Sequence, residues 1–559
     1  MRFYNLDWGY GNFFHPDERN IGMAVANIRP EAGDFNPDFF AYGSFPIYMI
    51  YTLSGGDFSL SIQYGRMLSA LFSTLSLPLI YLITKRLLVA VVSSEKHGIK
   101  DETNTDKYAL MALIIAAFSP GLIQFAHFTT FESFLTFEYL LFCYFSIKLL
   151  EKPTWRNYLI LAVICGLAVG TKIVSLFLVP IYLLVHLIVI LAKRKPEENR
   201  IEFVKKFPLK LFQPNFIVSL VLIFVVFVLS NPFIFLDYDS FIGSLNYESA
   251  VARGTLPVFY TQQFIETVPF FYQLTYVFPS ILSWPLTILG ILAIFFLTIY
   301  STRYFLVYIF KNTNRFKLPL LIFLLVSLGY GAFHMIMFVK WSRYMIPLVP
   351  FLIIATILLL VNFIFKKKSS LRLIAKVTLY FVYVFAIIQG TNFFTIYLKP
   401  DPRIEAAEWL KSNSSEDAQY AAEVYDIGMT AFNAELGYGR ITEFDYYHLD
   451  DEFTSDNRRQ ELDKLMSEVD FVIVPSERIY PTRARLPEIY PVGYDHYQRL
   501  FNEELGFVKV AEFTRTTYLE DLLGFNFYNA GLFMPLNYDE TFRVFDQPTV
   551  TIFSRSGNL

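Results

Sequence analysis

From residue 64 the chain becomes a succession of apolar runs separated by short polar joints. Runs of membrane-spanning length, or close to it, fall at 64–86, 108–126, 131–150, 157–171, 173–192, 215–232, 277–300, 318–338, 345–365 and 372–393. A helix needs about 20 predominantly apolar residues to cross the hydrocarbon of a bilayer, so the pattern predicts about ten spans. The run at 157–171 is short and is parted from 173–192 only by the tight hinge Gly170-Thr171-Lys172. Ahead of these runs, residues 1–60 are rich in Asn, Asp, Pro, Gly and aromatics. That composition predicts an ordered loop at the membrane surface with one or two short helices. Beyond Lys399-Pro400-Asp401-Pro402 the pattern changes to that of a soluble domain. Arg403–Ser412 has helical spacing, Val469–Pro475 reads as a buried strand, and Thr549–Phe553 as a closing strand. The predicted organisation is an outer catalytic loop at 1–60, a transmembrane helical domain at 61–395 with an outer loop at 233–276, and an extracytoplasmic α/β domain at 396–559.

Composition agrees with this division. The chain is 54% hydrophobic and 17% charged, with 60 Phe and 37 Tyr, which fits a polytopic membrane protein with interfacial aromatic belts. A net charge of -3, without a basic tract interleaved with aromatics, gives no nucleic-acid signal. The two cysteines, Cys143 and Cys165, lie inside apolar runs and supply neither a disulfide framework nor a zinc site. Lysine and arginine fix the expected orientation. The joints at 85–107, 148–156, 193–210, 303–317 and 366–376 hold 24 of them, including Lys193-Arg194-Lys195 and Lys366-Lys367-Lys368. The remainder of residues 1–393 holds eight. The positive-inside rule then puts the first loop and everything after residue 393 outside a plasma membrane. No apolar run precedes that loop, so a transmembrane helix upstream of Met1 is expected.

That orientation gathers acids and bases on one face. Asp17 and Glu18 lie in the run Phe13-Phe14-His15-Pro16-Asp17-Glu18-Arg19-Asn20, and Arg66 opens the first span. His127 and Glu132 flank the next outer turn, Lys172 sits in the hinge, and Lys340, Arg343 and Tyr344 open the ninth span. Ionised side chains at the edge of a bilayer are costly unless they meet a charged or reacting partner. The set points to a pocket where a carboxylate takes a proton while Arg and Lys hold an anion. Blander roles compete at each position. Asp17 and Glu18 could cap a helix after Pro16, and the cations could anchor span ends by snorkelling. His15 reads as a hydrogen-bonding supporter and His334 as structural. His127 with Glu132 gives two metal ligands, too few for a site, so no cofactor is indicated although a divalent metal stays open. Glu423, Asp426 and Asp445 read as solvated acids of the outer domain.

The run His15-Pro16-Asp17-Glu18, followed by Asn36-Pro37-Asp38-Phe39-Phe40-Ala41-Tyr42-Gly43-Ser44-Phe45-Pro46, resembles the first outer loop of the PMT-like GT-C glycosyltransferases. These are the dolichyl-phosphate-mannose–protein mannosyltransferases and their bacterial and archaeal relatives. Gly65-Arg66-Met67-Leu68-Ser69-Ala70, Gly170-Thr171-Lys172 and Lys340–Pro347 extend the resemblance over residues 1–400. It implies a GT-C fold and inverting transfer of a hexose or pentose from a polyprenyl-phosphate carrier to a hydroxyl of a protein, glycolipid or polysaccharide. Asp17 would be the general base and Glu18 its support. Arg343 and Lys340, with Arg66, Lys172 and Tyr344, would hold the carrier phosphate, while His15, His127 and Glu132 support the site. Two departures stand out: the span expected before the acid loop, and Glu132 in a turn where relatives usually offer an Asp. The rivals are a lipid-linked-sugar transporter, a non-catalytic membrane scaffold, and an oligosaccharyltransferase-like or ligase-type enzyme. A transporter should show paired halves and charge near the midplane, which this sequence lacks. The third should carry a different signature in the outer domain.

Overall fold

The structure, a computed structural model, describes residues 1–92, 102–193, 200–311, 318–365, 369–424, 429–451, 455–524 and 540–556. The clusters Arg194-Lys195 and Lys366-Lys367-Lys368, and Asp426, lie outside the described residues. Each of the ten apolar runs is helical over most of its length. Among the described residues six helices are long and apolar enough to cross a membrane, including Phe58–Val91, Glu132–Glu151 and Trp284–Val307. Trp155–Thr171, Pro214–Ser230 and Leu318–His334 are shorter apolar helices. The run at 108–126 divides into Glu102–Ala117 and Pro120–Gln124, because Pro120 has no N–H to continue the first helix. Val349–Ile364 is buried along almost its whole length and forms the centre of the bundle.

The N-terminal loop folds into two helices, Pro16–Ala26 and Ser44–Ser54. Ile21, Ala24 and Val25 of the first pack on Ile47 and Ile50 of the second and on Leu68, Phe131 and Phe134 of the bundle. The loop is pinned at Gly43, whose N–H donates to Thr171 O at 3.0 Å. A Cβ there would lie 1.9 Å from Gly170 O, so only glycine allows the two backbones this close. Asn231 completes the joint: its Oδ1 accepts from Ser44 N at 2.6 Å and its Nδ2 donates to Gly170 O at 3.2 Å.

The C-terminal region carries a five-stranded sheet of β1 (Tyr420–Glu423), β2 (Ile441–Phe444), β3 (Phe471–Val474), β4 (Phe507–Thr514) and β5 (Thr549–Arg555). The order is β2-β1-β3-β5-β4, parallel over the first three and antiparallel at β5 and β4. Side chains alternate between two helical layers, as strand periodicity requires. Tyr420, Ala422, Phe471 and Ile473 face Ala406, Leu410 and Phe432, while Ala421, Val472 and Val474 face Leu462, Tyr497 and Leu500. Glu423, expected in solvent, is buried and accepts from Tyr497 OH at 2.6 Å, because it ends a strand covered on both faces. Asp445 is half-exposed and caps the turn Tyr446–His448.

This region is seated on the bundle through residues 541–547. Phe542 and Val544 join the apolar core of the helical bundle. Asp546 accepts from Tyr397 OH at 2.6 Å and from Gln124 Nε2 at 3.0 Å. Arg403 Nη2 donates to Phe545 O at 2.6 Å, and Ser342 N to Thr541 Oγ1 at 3.1 Å.

Candidate active site

His15 and Pro16 start the first loop helix, with Pro16 in the first turn, where its missing N–H costs nothing. His15 Nδ1 accepts from Asp17 N at 3.2 Å, so the ring is a neutral acceptor on that side. Its ring lies 4.9 Å from Phe128 and 4.0 Å from Phe545. Burial, then the nearby positive charges of Arg343, Arg19, Arg66 and Arg478, hold its pKa well below the ordinary range. It therefore stays uncharged and positions the helix start.

The adjacent carboxylates diverge. Asp17 projects into a cavity, with its side chain 17% exposed, and pairs with Arg343 Nη1. Tyr42 OH donates to Asp17 Oδ2 at 3.1 Å and accepts from Arg343 Nη1 at 3.1 Å, closing a three-membered network. Glu18 turns inward and is fully buried. Arg66 donates to both its oxygens, at 2.8 and 2.6 Å, and Thr129 N donates at 2.7 Å. Gly65 makes room for this clamp, since a Cβ there would lie 2.1 Å from Thr129 Cγ2.

The cavity has a volume of about 930 Å³ and is formed where the first loop, the bundle and the C-terminal region meet. Its charged lining comprises Asp17, Arg19, Lys172, Glu248, Arg253, Arg343 and Arg478, five cations against two acids. Val174, Leu176, Phe177, Phe333 and Met337 form an apolar wall, with Leu176 and Phe333 about half exposed on the bundle surface. Lys172 projects from an extended residue after the Trp155–Thr171 helix. Its ammonium lies 3.6 Å from Glu132 Oε1 and within 5 Å of the Tyr42 and Tyr344 rings. Arg343 lies over Trp341, at 4.6 Å, and its Nε is buried without a hydrogen-bond acceptor among the described residues. Burial raises the Glu248 carboxyl above its usual range.

Asp17, His15, Lys172, Arg343 and Tyr344 are thus brought to one cavity, and Glu132 adjoins it through Lys172. Two expected phosphate ligands are elsewhere. Arg66 is fully buried and held by Glu18, with its third nitrogen donating to Leu6 O at 2.7 Å. Lys340 is also buried, donates to Phe338 O, and lies 5.2 Å from the Phe338 ring and 5.4 Å from Phe264. Burial brings its pKa down to about 8. His127 stacks on Tyr397 at 3.8 Å with its nitrogens against Ile123 O and Tyr4 O, which makes it part of the domain joint. Glu248, Arg253 and Arg478 had no sequence motif to mark them. Tyr42 lay inside a quoted motif, without a role of its own.

The sequence model of one family, dolichyl-phosphate-mannose-protein mannosyltransferase, matches residues 99–205. This stretch holds His127, Glu132 and Lys172. Comparison with curated proteins gives no match. Among solved structures, the chain is similar to the archaeal oligosaccharyltransferase AglB from Archaeoglobus fulgidus, solved with an inhibitory peptide and a dolichol-phosphate. The identity is 12%, over 85% of this chain and 67% of that one, with a TM-score of 0.46. It is also similar to ArnT from Cupriavidus metallidurans in the apo state, at 14% identity over 86% of this chain and 92% of that one, with a TM-score of 0.42. The matched stretch, together with the ordered motifs around Asp17, Gly65-Arg66, Lys172 and Arg343, makes the chain similar to the dolichyl-phosphate-mannose-protein mannosyltransferases.

Proposed function

We propose that this enzyme transfers a sugar, with inversion, from a polyprenyl-phosphate-linked donor to an acceptor hydroxyl on the outer face of the plasma membrane. The observation that carries the reading is the cavity itself. One carboxylate, Asp17, meets a surplus of cations beside an apolar wall on the bundle surface. Such a site suits a ligand with an anionic head and a hydrocarbon tail. The uneven distribution of lysine and arginine supports the outer placement.

In this mechanism the carrier phosphate takes Arg343 and Lys172 as partners, and Arg343 gives up Asp17 in exchange. Asp17 is then a free base beside Tyr42. The acceptor oxygen attacks the anomeric carbon opposite the phosphate as its proton passes to Asp17. The bond from that carbon to the phosphate oxygen breaks, and its electron pair stays on the phosphate. A phosphate leaves as a stable anion, so charge stabilisation replaces the acid that a glycoside hydrolase requires. Glu18, locked on Arg66, keeps the Asp17 helix in place and takes no proton.

Mass spectrometry of glycolipids and glycoproteins from cells with and without the gene tests this reading. A glycan that loses one sugar when the gene is deleted, and regains it with the wild-type gene but not with Asp17→Asn, supports it. An unchanged glycan profile opposes it.

A further inference from the structure

We propose that Arg478, from the C-terminal α/β region, is a second guanidinium for the carrier phosphate, serving the charge that develops as the sugar leaves. The inference rests on the polyprenyl-phosphate reading above. Arg478 follows β3, and its N–H donates to Ser476 Oγ at 3.0 Å, which fixes the backbone in a turn at the end of the sheet. Its side chain is 6% exposed and lines the same cavity as Arg343. Contacts run unbroken between the two arginines. Arg478 lies 5.8 Å from the Phe545 ring, Phe545 lies 4.0 Å from His15, His15 accepts from Asp17 N, and Asp17 pairs with Arg343.

The chemistry asks for two cations of unequal timing. The donor is a phosphodiester with a single negative charge. When the bond from the anomeric carbon to the phosphate oxygen breaks, the electron pair stays on that oxygen. The carrier becomes a monoester approaching two charges at neutral pH, since its second pKa is about 6. One arginine matches the donor; two match the departing phosphate. Glu540 Oε1 now accepts from Arg478 Nη1 at 2.7 Å, and Glu540 belongs to the short helix preceding Phe545. Glu540 thus holds Arg478 much as Asp17 holds Arg343, each carboxylate occupying the guanidinium until phosphate arrives.

Undecaprenyl phosphate is titrated into full-length protein in phosphatidylcholine nanodiscs, with undecaprenol as the phosphate-free control. Wild type should bind the phosphate more tightly than the alcohol. R478A should weaken phosphate binding about tenfold or more, as loss of a charge-assisted pair does, and leave the alcohol unaffected. R478K should fall between, because an ammonium keeps the charge and loses the planar fork. E540Q should bind at least as tightly as wild type. Equal weakening by R478A and E540Q would reduce Arg478 to an interface ion pair and overturn the proposal. So would R478A binding as wild type. A wild type that does not distinguish phosphate from alcohol would sink the donor reading itself, and this inference with it.

Discussion

Replacing Arg66 by alanine separates a phosphate ligand from a structural clamp. The Arg66 guanidinium is fully buried, makes two bonds to Glu18 and one to Leu6 O, and lies 4.9 Å from the Trp8 ring. Alanine would leave the Glu18 carboxylate buried with only Thr129 N as a donor. Removing one partner of a buried ion pair costs about 3–5 kcal/mol, mostly the penalty of the charge left behind. R66A should therefore unfold several degrees below wild type, followed by tryptophan fluorescence, for which Trp8 is a local reporter. The double variant E18Q/R66M should recover part of the loss, because no uncompensated charge remains. Carrier binding by whatever fraction stays folded should change by less than about twofold, under about 0.5 kcal/mol. If R66A melts with wild type while its affinity for undecaprenyl phosphate falls tenfold, the clamp is wrong and Arg66 reaches the phosphate.

Further consequences concern the cavity and its supports. Arg343→Ala should raise the apparent KM for the lipid-linked donor about tenfold; an unchanged KM would move the phosphate site away from Arg343. Gly43→Ala places a Cβ 1.9 Å from Gly170 O, so the loop carrying Asp17 must shift. Transfer should drop by about a hundredfold, the cost of a misplaced reacting group, and normal kinetics would show that the loop does not need that joint. Burial raises Asp546 to about 6. A raised carboxyl favours folding in acid, and that contribution is lost as pH rises from about 4 to about 6. Asp546→Asn should flatten the fall in unfolding free energy over that window, by about 3 kcal/mol for the full shift; an unaltered pH profile would mean that Asp546 keeps an ordinary pKa.

The helical framework was legible because apolar runs announce bundle helices with little help from context. Asp17 and its His15-Pro16 helix start were legible because a cap is a local feature. The burial of Glu18 against Arg66 was not. It depends on which face of one turn meets Arg66, 48 residues away. The same limit applies to Lys340 and Arg343, only three residues apart. The structure turns Lys340 into an aromatic surround and Arg343 into the cavity, and span-end charge alone does not separate them. Residues 541–547 form no long apolar run, yet they insert Phe542 into the bundle core and bring Phe545 to His15. Arg478 follows a strand that was foreseen, but its place in the cavity is created by the docking of one domain on another.

The proposed mechanism stands on Asp17 taking the acceptor's proton while Arg343 holds the phosphate. Purified wild type and Asp17→Asn, supplied with the lipid-linked donor and the acceptor identified from cells, test it most directly. Asp17→Asn should lose transfer by at least about a hundredfold, within the range of general-base catalysis, while remaining folded and binding undecaprenyl phosphate at least as well as wild type. An Asp17→Asn enzyme that turns over within a few-fold of wild type would contradict it.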